Sequence, residues 1–311
     1  TTMHALGVFD ENSEYSLGMC GMHGAYSANM ALQNSDCIIN IGSRFDDRVI
    51  GNAEMFGKNA KHIISCNIDP CCSNVIKKQN VYDVTMTADK FLDLFLIHHY
   101  DTINYNSINT NRINWLAKIN KWKNKQPFLY NKSNTTLKIP DAIKAIDKYK
   151  KDDDIFTFGV GNHLMFGCQH ITWKRPKTIL ASGSLGVMGC SIGYAIGAQL
   201  ANKNKRVISI DGDGSFNMSL TELQTITRYN LPVKIALMND KNLGMVRVWE
   251  KLFYEERYTA TDNPTNPDYC SLVESYGIKS LKCDNQNELD TITKKFMGRR
   301  WSNIMRICMR N

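Results

Sequence analysis

Residues 207–245 read VISIDGDGSFNMSLTELQTITRYNLPVKIALMNDKNLGM, and no other stretch limits the possible folds so tightly. Val207-Ile208-Ser209-Ile210 is a short apolar run ending in Asp211-Gly212-Asp213-Gly214-Ser215, a strand followed by a tight turn. Ser219-Leu220-Thr221-Glu222 has the S-x-x-E form of a capping box, whose hydroxyl and carboxylate satisfy orphan N–H groups at a helix start. Leu220, Leu223, Ile226 and Thr227 recur at helical spacing as far as Asn230, and Pro232 stops the helix. Residues 233–238 form a second buried strand, ending at Asn239-Asp240. The whole is one β-α-β unit.

A right-handed crossover makes consecutive parallel strands neighbours. Asp213 and Asp240 then meet at the carboxyl edge of the sheet, where open α/β sheets bind ligands. Two carboxylates beside exposed backbone N–H groups suit a divalent, oxygen-liking cation held between protein and phosphate. Magnesium takes one or two carboxylates, phosphate oxygens and water. The alternative is a structural turn with solvated Asp residues; the second strand end favours the metal.

At 311 residues the chain can hold two domains with separate cores, and 43% hydrophobic with 22% charged residues is the balance of a soluble globular protein. No apolar run is long enough for a transmembrane helix, so no membrane association is expected. The opening TTMHALGVFDENSEYS has neither a secretory nor a transit pattern and begins as if within a domain. The net charge of +8 is spread among Asn residues, and residues 118–125 (KINKWKNK) read as a solvated helical face, so no nucleic-acid partner is expected. The ten Cys lack C-x-x-C spacing. Cys37 and Cys66 read as buried free thiols in an intracellular, reducing compartment, and no zinc site is expected.

Residues 1–105 read as a first α/β unit, 106–138 as a helix and linker, and 139–311 as a second α/β unit. In the first, Gly21-Met22-His23-Gly24 precedes a helix over 26–33, and Asp36 leads into a strand over 37–41. Gly42-Ser43-Arg44-Phe45-Asp46-Asp47-Arg48 follows, a strand running into Gly and a basic turn, as in nucleotide sites. A strand over 62–68 ends at Asp69, where an acid can bond a ribose hydroxyl. Each has a plain alternative: Gly42 as a turn, Asp69 as a cap at Pro70, His23 as a satisfied loop histidine. Residues 84–100 read as a turn and a helix, and 112–125 as an amphipathic helix.

In the second unit, Pro140-Asp141 opens a helix to residue 150. A strand over 155–160 ends in Gly161-Asn162-His163, a turn able to hold anionic oxygens. Residues 181–189 form a Gly-rich loop before a helix whose Gly193 and Gly197 allow close packing against a neighbour. Met188 and Trp249 by pattern alone are ordinary core residues. Residues 250–258 read as a charged, aromatic helix, 263–268 as a loop, 269–276 as a helix, and 296–311 as an unusually basic end.

Gly212-Asp213-Gly214 followed by Asn239-Asp240 resembles the thiamin-diphosphate signature of the pyruvate decarboxylase-type enzymes. GDGSFNM, ELQTI, NLPVK and LGMV with Trp249 are similar to one branch of them, the acetolactate synthase (acetohydroxyacid synthase) family. The resemblance implies an α/β fold of two doubly wound, mainly parallel-sheet domains, an FAD-type middle domain and a thiamin-diphosphate-binding domain. The implied cofactors are thiamin diphosphate, Mg²⁺ and FAD. Thiamin diphosphate would be held by Gly161, Asn162, His163, Gly186, Val187, Met188, Asp213, Gly214, Ser215, Asp240, Leu243, Gly244 and Met245. Asp213, Asp240 and Asn242 would bind the Mg²⁺. Through GMHG, G-x-R-F-D-D-R and I-D, the residues facing FAD would be Met22, His23, Gly24, Gly42, Arg44, Asp46 and Asp69.

The same resemblance gives Met188 the role of an apolar wedge beneath the bent cofactor and Trp249 that of narrowing the acceptor pocket. It places Asp47 and Arg48 near the substrate channel, so Met188, Trp249 and Arg48 are the catalytic candidates. The implied reaction decarboxylates pyruvate and condenses the hydroxyethyl carbanion with a second 2-oxo acid, pyruvate or 2-oxobutanoate, in branched-chain amino-acid biosynthesis. A homodimer or larger assembly is implied, with a regulatory subunit as a further partner. Three positions depart from the family: Asn162 stands for Gln, Ala25 for a hydroxyl residue, and Asp240 for Asn. The pyrimidine-binding domain and its catalytic glutamate find no match here, so residues 1–311 alone are expected to bind cofactor without turnover. The competing readings are another thiamin-dependent decarboxylase or carboligase and a non-catalytic cofactor-binding fragment.

Overall fold

A computed structural model describes residues 1–76, 80–100, 105–133, 136–298 and 303–308. The chain divides into two compact units, Thr1–Thr2 with Glu14–Leu129, and Met3–Ser13 with Tyr130–Asn311.

The first unit runs α1 (Tyr26–Asn34), β1 (Cys37–Ile41), α2 (Asp47–Ile50), β2 (His62–Asn67), β3 (Val81–Thr85), α3 (Ala88–Tyr100) and α4 (Tyr105–Lys125). Its strands form a three-stranded parallel sheet in the order β1-β2-β3. In β1, Ile38 and Asn40 point inward and Cys37, Ile39 and Ile41 outward, the period of two expected of a strand with one covered face. Ile38, Ile63, Phe45, Ile50, Phe56 and Ile76 make the core beneath it. Cys66 is buried as expected, but Cys37 is exposed because it falls on the open side of the alternation. The stretch opening at Val84, expected to be a turn, is the end of β3; its alternating Val81-Tyr82-Asp83-Val84 is too short and half-polar to stand out.

The second unit contains α5 (Ile139–Tyr149), β4 (Ile155–Phe158), α6 (Asn162–His170), β5 (Ile179–Leu180), α7 (Cys190–Ala201), β6 (Val207–Gly212), α8 (Asp213–Phe216), α9 (Leu223–Arg228), β7 (Lys234–Asn239), α10 (Gly244–Phe253), α11 (Tyr269–Ser275), β8 (Lys279–Cys283), α12 (Gln286–Gly298) and β9 (Asn303–Cys308). The sheet is six-stranded and parallel throughout, in the order β5-β4-β6-β7-β9-β8. Every residue of β7 and all but the last of β6 are buried, as strands covered on both faces must be, which is why they read as mainly apolar runs without strict alternation. Of the basic terminal stretch, residues 299–302 and 309–311 lie outside the described residues. The segment Met3–Ser13 returns to this unit through Glu11, whose N–H donates to the Trp173 carbonyl at 3.1 Å and whose Oε2 accepts from the Trp173 N–H at 2.8 Å.

Three local expectations fail for identifiable reasons. The capping box does not form: the chain turns helical directly at Asp213, Ser219 breaks the path at φ −134°, and its hydroxyl is buried without a partner. Glu222 instead accepts from the Thr225 hydroxyl. The early turn is favoured because it drives Phe216 into the core, edge-on to Tyr269 at 5.7 Å. The helix expected over 250–258 is shifted towards the N-terminus, since Glu255 and Glu256 take left-handed φ values of 53° and 57° after α10 has ended. Gly193 and Gly197 are exposed, with open space where a Cβ would sit, so in this unit they do not serve close helix packing.

Candidate functional site

The order β5-β4-β6 places the chain's change of direction between β4 and β6, and crevices at such a point are where parallel sheets bind ligands. There the segments leaving β4, β6 and β7 converge. One cleft is lined by Gly161, Asn162 and His163 after β4, by Gly212, Gly214 and Ser215 after β6, and by Asp240, Asn242, Leu243, Gly244 and Met245 after β7. Gly186 and Met188 reach it from the loop before α7. Val246 completes the wall together with Ile139, Val160 and Met238, the last three not anticipated from sequence.

Asp213 and Asp240 come together as the parallel register requires. Their carboxyls are in side-chain contact. Burial first, and then the charge of Asp213, raises the Asp240 pKa; burial raises that of Asp213. Asp213 is fully buried, and its Oδ1 has no hydrogen-bond partner. Asn242 closes the turn, donating its backbone N–H to Asp240 Oδ1 at 3.0 Å and its amide to the Asp240 carbonyl at 2.5 Å. Among the described residues no cluster of three or more His, Cys, Asp or Glu forms a complete metal cage. Two acidic side chains and a free carboxylate oxygen fit a cation that takes its remaining ligands from a phosphate group.

Glycines shape the cradle. A Cβ on Gly214 would lie 2.5 Å from Leu243, and one on Gly244 would lie 2.8 Å from the Asn162 amide and 2.9 Å from Asp240 Oδ2. Behind them lies Asp211, a residue no motif singled out. It is wholly buried, accepts from the Ser191 hydroxyl, and takes the Gly212 N–H at 2.9 Å. Burial pushes its pKa up to about 7. His163 Nε2 lies 3.4 Å from Asp211 Oδ1, outside hydrogen-bonding geometry. Burial lowers the His163 pKa to about 4, leaving a neutral imidazole against Gly161 and Gly212. The Ser215 hydroxyl accepts the Gly189 N–H at 2.9 Å and bonds Asp211, so it ties the Met188 loop to β6.

Three expected residues are not part of the cleft lining, and one of them is Asp213, which lies buried beside Gly212 and Gly214. Val187 is half exposed, with its N–H on the Ser182 hydroxyl. Trp249 is 39% exposed on α10, stacked on Phe253 at 4.9 Å.

In the first unit the segments leaving β1 and β2 lie side by side. Asn40 accepts the Ser43 N–H, and the amides of Asn40 and Asn67 both bond the Ser43 carbonyl, fixing the loop after Gly42. Gly42 has φ 80° and open space beside it. Arg44 pairs with Asp46 at 3.0 Å, and Met22 packs on Arg48 through its N–H on the Arg48 carbonyl at 2.7 Å. Gly21 and Gly24 are held by backbone contacts that leave no room for a Cβ. Burial, and then Arg48, lowers the His23 pKa. Asp69 Oδ1 accepts the Cys71 N–H at 2.9 Å, a turn cap.

The two units match two models of one enzyme class. Residues 159–304 match the thiamine pyrophosphate enzyme C-terminal TPP binding domain, and residues 1–93 the central domain. The chain belongs to the thiamine pyrophosphate enzymes. Within that class its relatives are acetolactate synthases. It is 40% identical to the mitochondrial acetolactate synthase catalytic subunit of Saccharomyces cerevisiae over 96% of the chain and 44% of that protein. It is 38% identical to the acetolactate synthase large subunit of Lactococcus lactis, over 93% of the chain and 49% of the relative. Identity to the mitochondrial enzyme of Schizosaccharomyces pombe is 36%, over 99% and 47%. The chain thus spans about half the length of the curated relatives it matches.

Proposed function

We propose that the chain is the cofactor-binding part of an acetolactate synthase catalytic subunit, and that Asp213 and Asp240 hold a Mg²⁺ ion that grips the diphosphate of thiamin diphosphate. The observation that carries this reading is the buried contact between the two carboxyls at the switch point of a parallel sheet. Two acids forced together are stable only with a shared proton or a bridging cation. When bound, thiamin diphosphate supplies the electron sink for decarboxylation of a 2-oxo acid.

The chain's own residues then have definable tasks. Asp213 would offer Oδ1 to the cation and Asp240 a carboxylate oxygen beside it. His163 and the Asn162 amide face the cleft as polar partners for phosphate oxygens, and the glycines admit the close approach. Met188 supplies an apolar wall on the cleft side of Gly214. Asn242 acts on the metal site by fixing the Asp240 turn.

FAD is the group proposed for the first unit, at Met22, His23, Gly24, Gly42, Arg44, Asp46 and Asp69. The open backbone at Gly42 and the pinned Ser43 loop at the carboxyl edge of β1 and β2 suit a nucleotide. Arg48 and Trp249 are proposed for substrate handling, with pyruvate and 2-oxobutanoate as substrates. A homodimer and a regulatory subunit complete the proposed assembly, in a reducing intracellular compartment; among the described residues no helix is long and apolar enough to cross a membrane.

Product analysis tests the reaction. The polypeptide carrying this chain, given pyruvate, 2-oxobutanoate, thiamin diphosphate, Mg²⁺ and FAD, should form acetolactate and acetohydroxybutyrate. Release of acetaldehyde alone would place it with another thiamin-dependent decarboxylase.

A further inference from the structure

The two oxygens of Asp213 are treated differently. Oδ2 accepts from the Asn266 amide at 2.5 Å and from the Asn263 amide at 3.4 Å, while Oδ1 is buried and without a partner. Asn266 sits in the loop between α10 and α11, which is strapped to the metal-side turn. The Leu243 N–H bonds the Thr261 carbonyl and the Asn263 N–H the Lys241 carbonyl, both at 2.7 Å. The Asn266 amide also reaches Asn239 Oδ1 at 3.3 Å.

The orientation of that amide is fixed by its neighbours. Its NH₂ donates to both Asp213 Oδ2 and Asn239 Oδ1, two acceptors, which leaves Oδ1 pointing away from them. Oδ1 accepts from the Asn217 amide at 3.4 Å, and Asn217 Oδ1 in turn accepts from the Tyr269 hydroxyl at 3.0 Å. Burial and then the Asp213 charge push the Tyr269 phenol up, which keeps it a donor. Tyr269, Asn217, Asn266 and Asp213 therefore form one chain of hydrogen bonds running in a single direction.

Resting on the metal reading above, we propose that Asn266 is a positioning residue, which clamps Asp213 by Oδ2 so that Oδ1 is presented, with Asp240, to the divalent cation. Without the clamp the carboxylate is free to rotate about its last bond and spread its charge over both oxygens. Partners of this kind commonly change metal affinity about 10–100-fold.

The test uses Mn²⁺ as probe, followed by electron paramagnetic resonance at saturating thiamin diphosphate. Asn266→Ala should weaken Mn²⁺ binding by about 10-fold or more. The control is Asp268→Ala in the same loop; Asp268 caps α11, accepting from the Cys270 N–H at 3.1 Å and from the Ser271 hydroxyl at 3.2 Å. Asp268→Ala should lower the melting temperature yet keep the affinity within about 2-fold, well inside the range for a metal-orienting partner. Should Asn266→Ala fail to fold, Asn217→Ala carries the test, since it frees the Asn266 amide to turn and should weaken Mn²⁺ in the same direction. Wild-type affinity in Asn266→Ala, or in Asn217→Ala where that variant carries the test, overturns the positioning role, as does an equal loss in Asp268→Ala. A wild-type protein that takes up no Mn²⁺ overturns the metal reading itself, and the inference with it.

Discussion

Asp240→Asn removes one of two charges that the fold forces together. In the metal-free protein burial first, and then the charge of Asp213, oppose ionisation of Asp240 and raise its pKa. Two unit charges 4 Å apart repel by about 4 kcal/mol at an effective dielectric of 20, and by about 1 kcal/mol in bulk water. At pH 8 in EDTA the variant should therefore be more stable than the wild type by about 1–4 kcal/mol, or about 2–4 °C in melting temperature per kcal/mol for a unit of this size. The sign with pH follows from the raised value. The folded state holds the proton more tightly than the unfolded chain, so the wild type regains stability as pH falls from neutrality towards about 4, where free Asp titrates, and the difference closes. Mg²⁺ should reverse the order, because the second carboxylate then has a cation to face. Melting curves at pH 5 and pH 8, with EDTA and with Mg²⁺, are the assay. A variant no more stable than wild type at pH 8 without metal, or a difference that persists unchanged at pH 5, would refute the charge argument.

Other expectations follow from packing and burial. Gly159→Ala would place a Cβ 1.8 Å from Asp211 Oδ1, inside a site with nowhere to yield, and urea unfolding should show a loss of about 1–3 kcal/mol or more. Ile143→Ala empties a wholly buried position on α5 and should cost about 2–5 kcal/mol by the same measurement. Burial raises the Glu11 pKa to about 7, so Glu11 costs stability above that pH and the cost fades towards pH 4. Glu11→Gln, which keeps an oxygen for the Trp173 N–H, should raise the melting temperature at pH 8 and leave it unchanged at pH 4.5.

The β6-β7 pair and the meeting of Asp213 with Asp240 were legible because buried parallel strands announce themselves as apolar runs, and register then follows from topology. The first turn of α6, opening at Asn162, was read as a turn because its Gly161 start and polar first residues carry no helical period. The capping box misled because its local hydrogen bonds compete with burying Phe216 and Tyr269, and the core wins. Asp211 was hidden within the same turn as Asp213. Two carboxylates two residues apart look alike in sequence, and a strand would put both on one face; it is the turn from β6 into α8 at Asp213 that leaves Asp211 on Ser191 and sends Asp213 towards Asp240. Asn266 could not be found by spacing at all. It meets Asp213 through a loop with no period, and its only written trace is an Asn-Pro-Asp stretch that reads equally well as the start of α11.

Calorimetric titration with thiamin diphosphate, in Mg²⁺ and again in EDTA, tests the central claim most directly. The account predicts saturable uptake in Mg²⁺ that disappears in EDTA and in Asp213→Asn. Equal affinity with and without the cation, or full binding by Asp213→Asn, would contradict it.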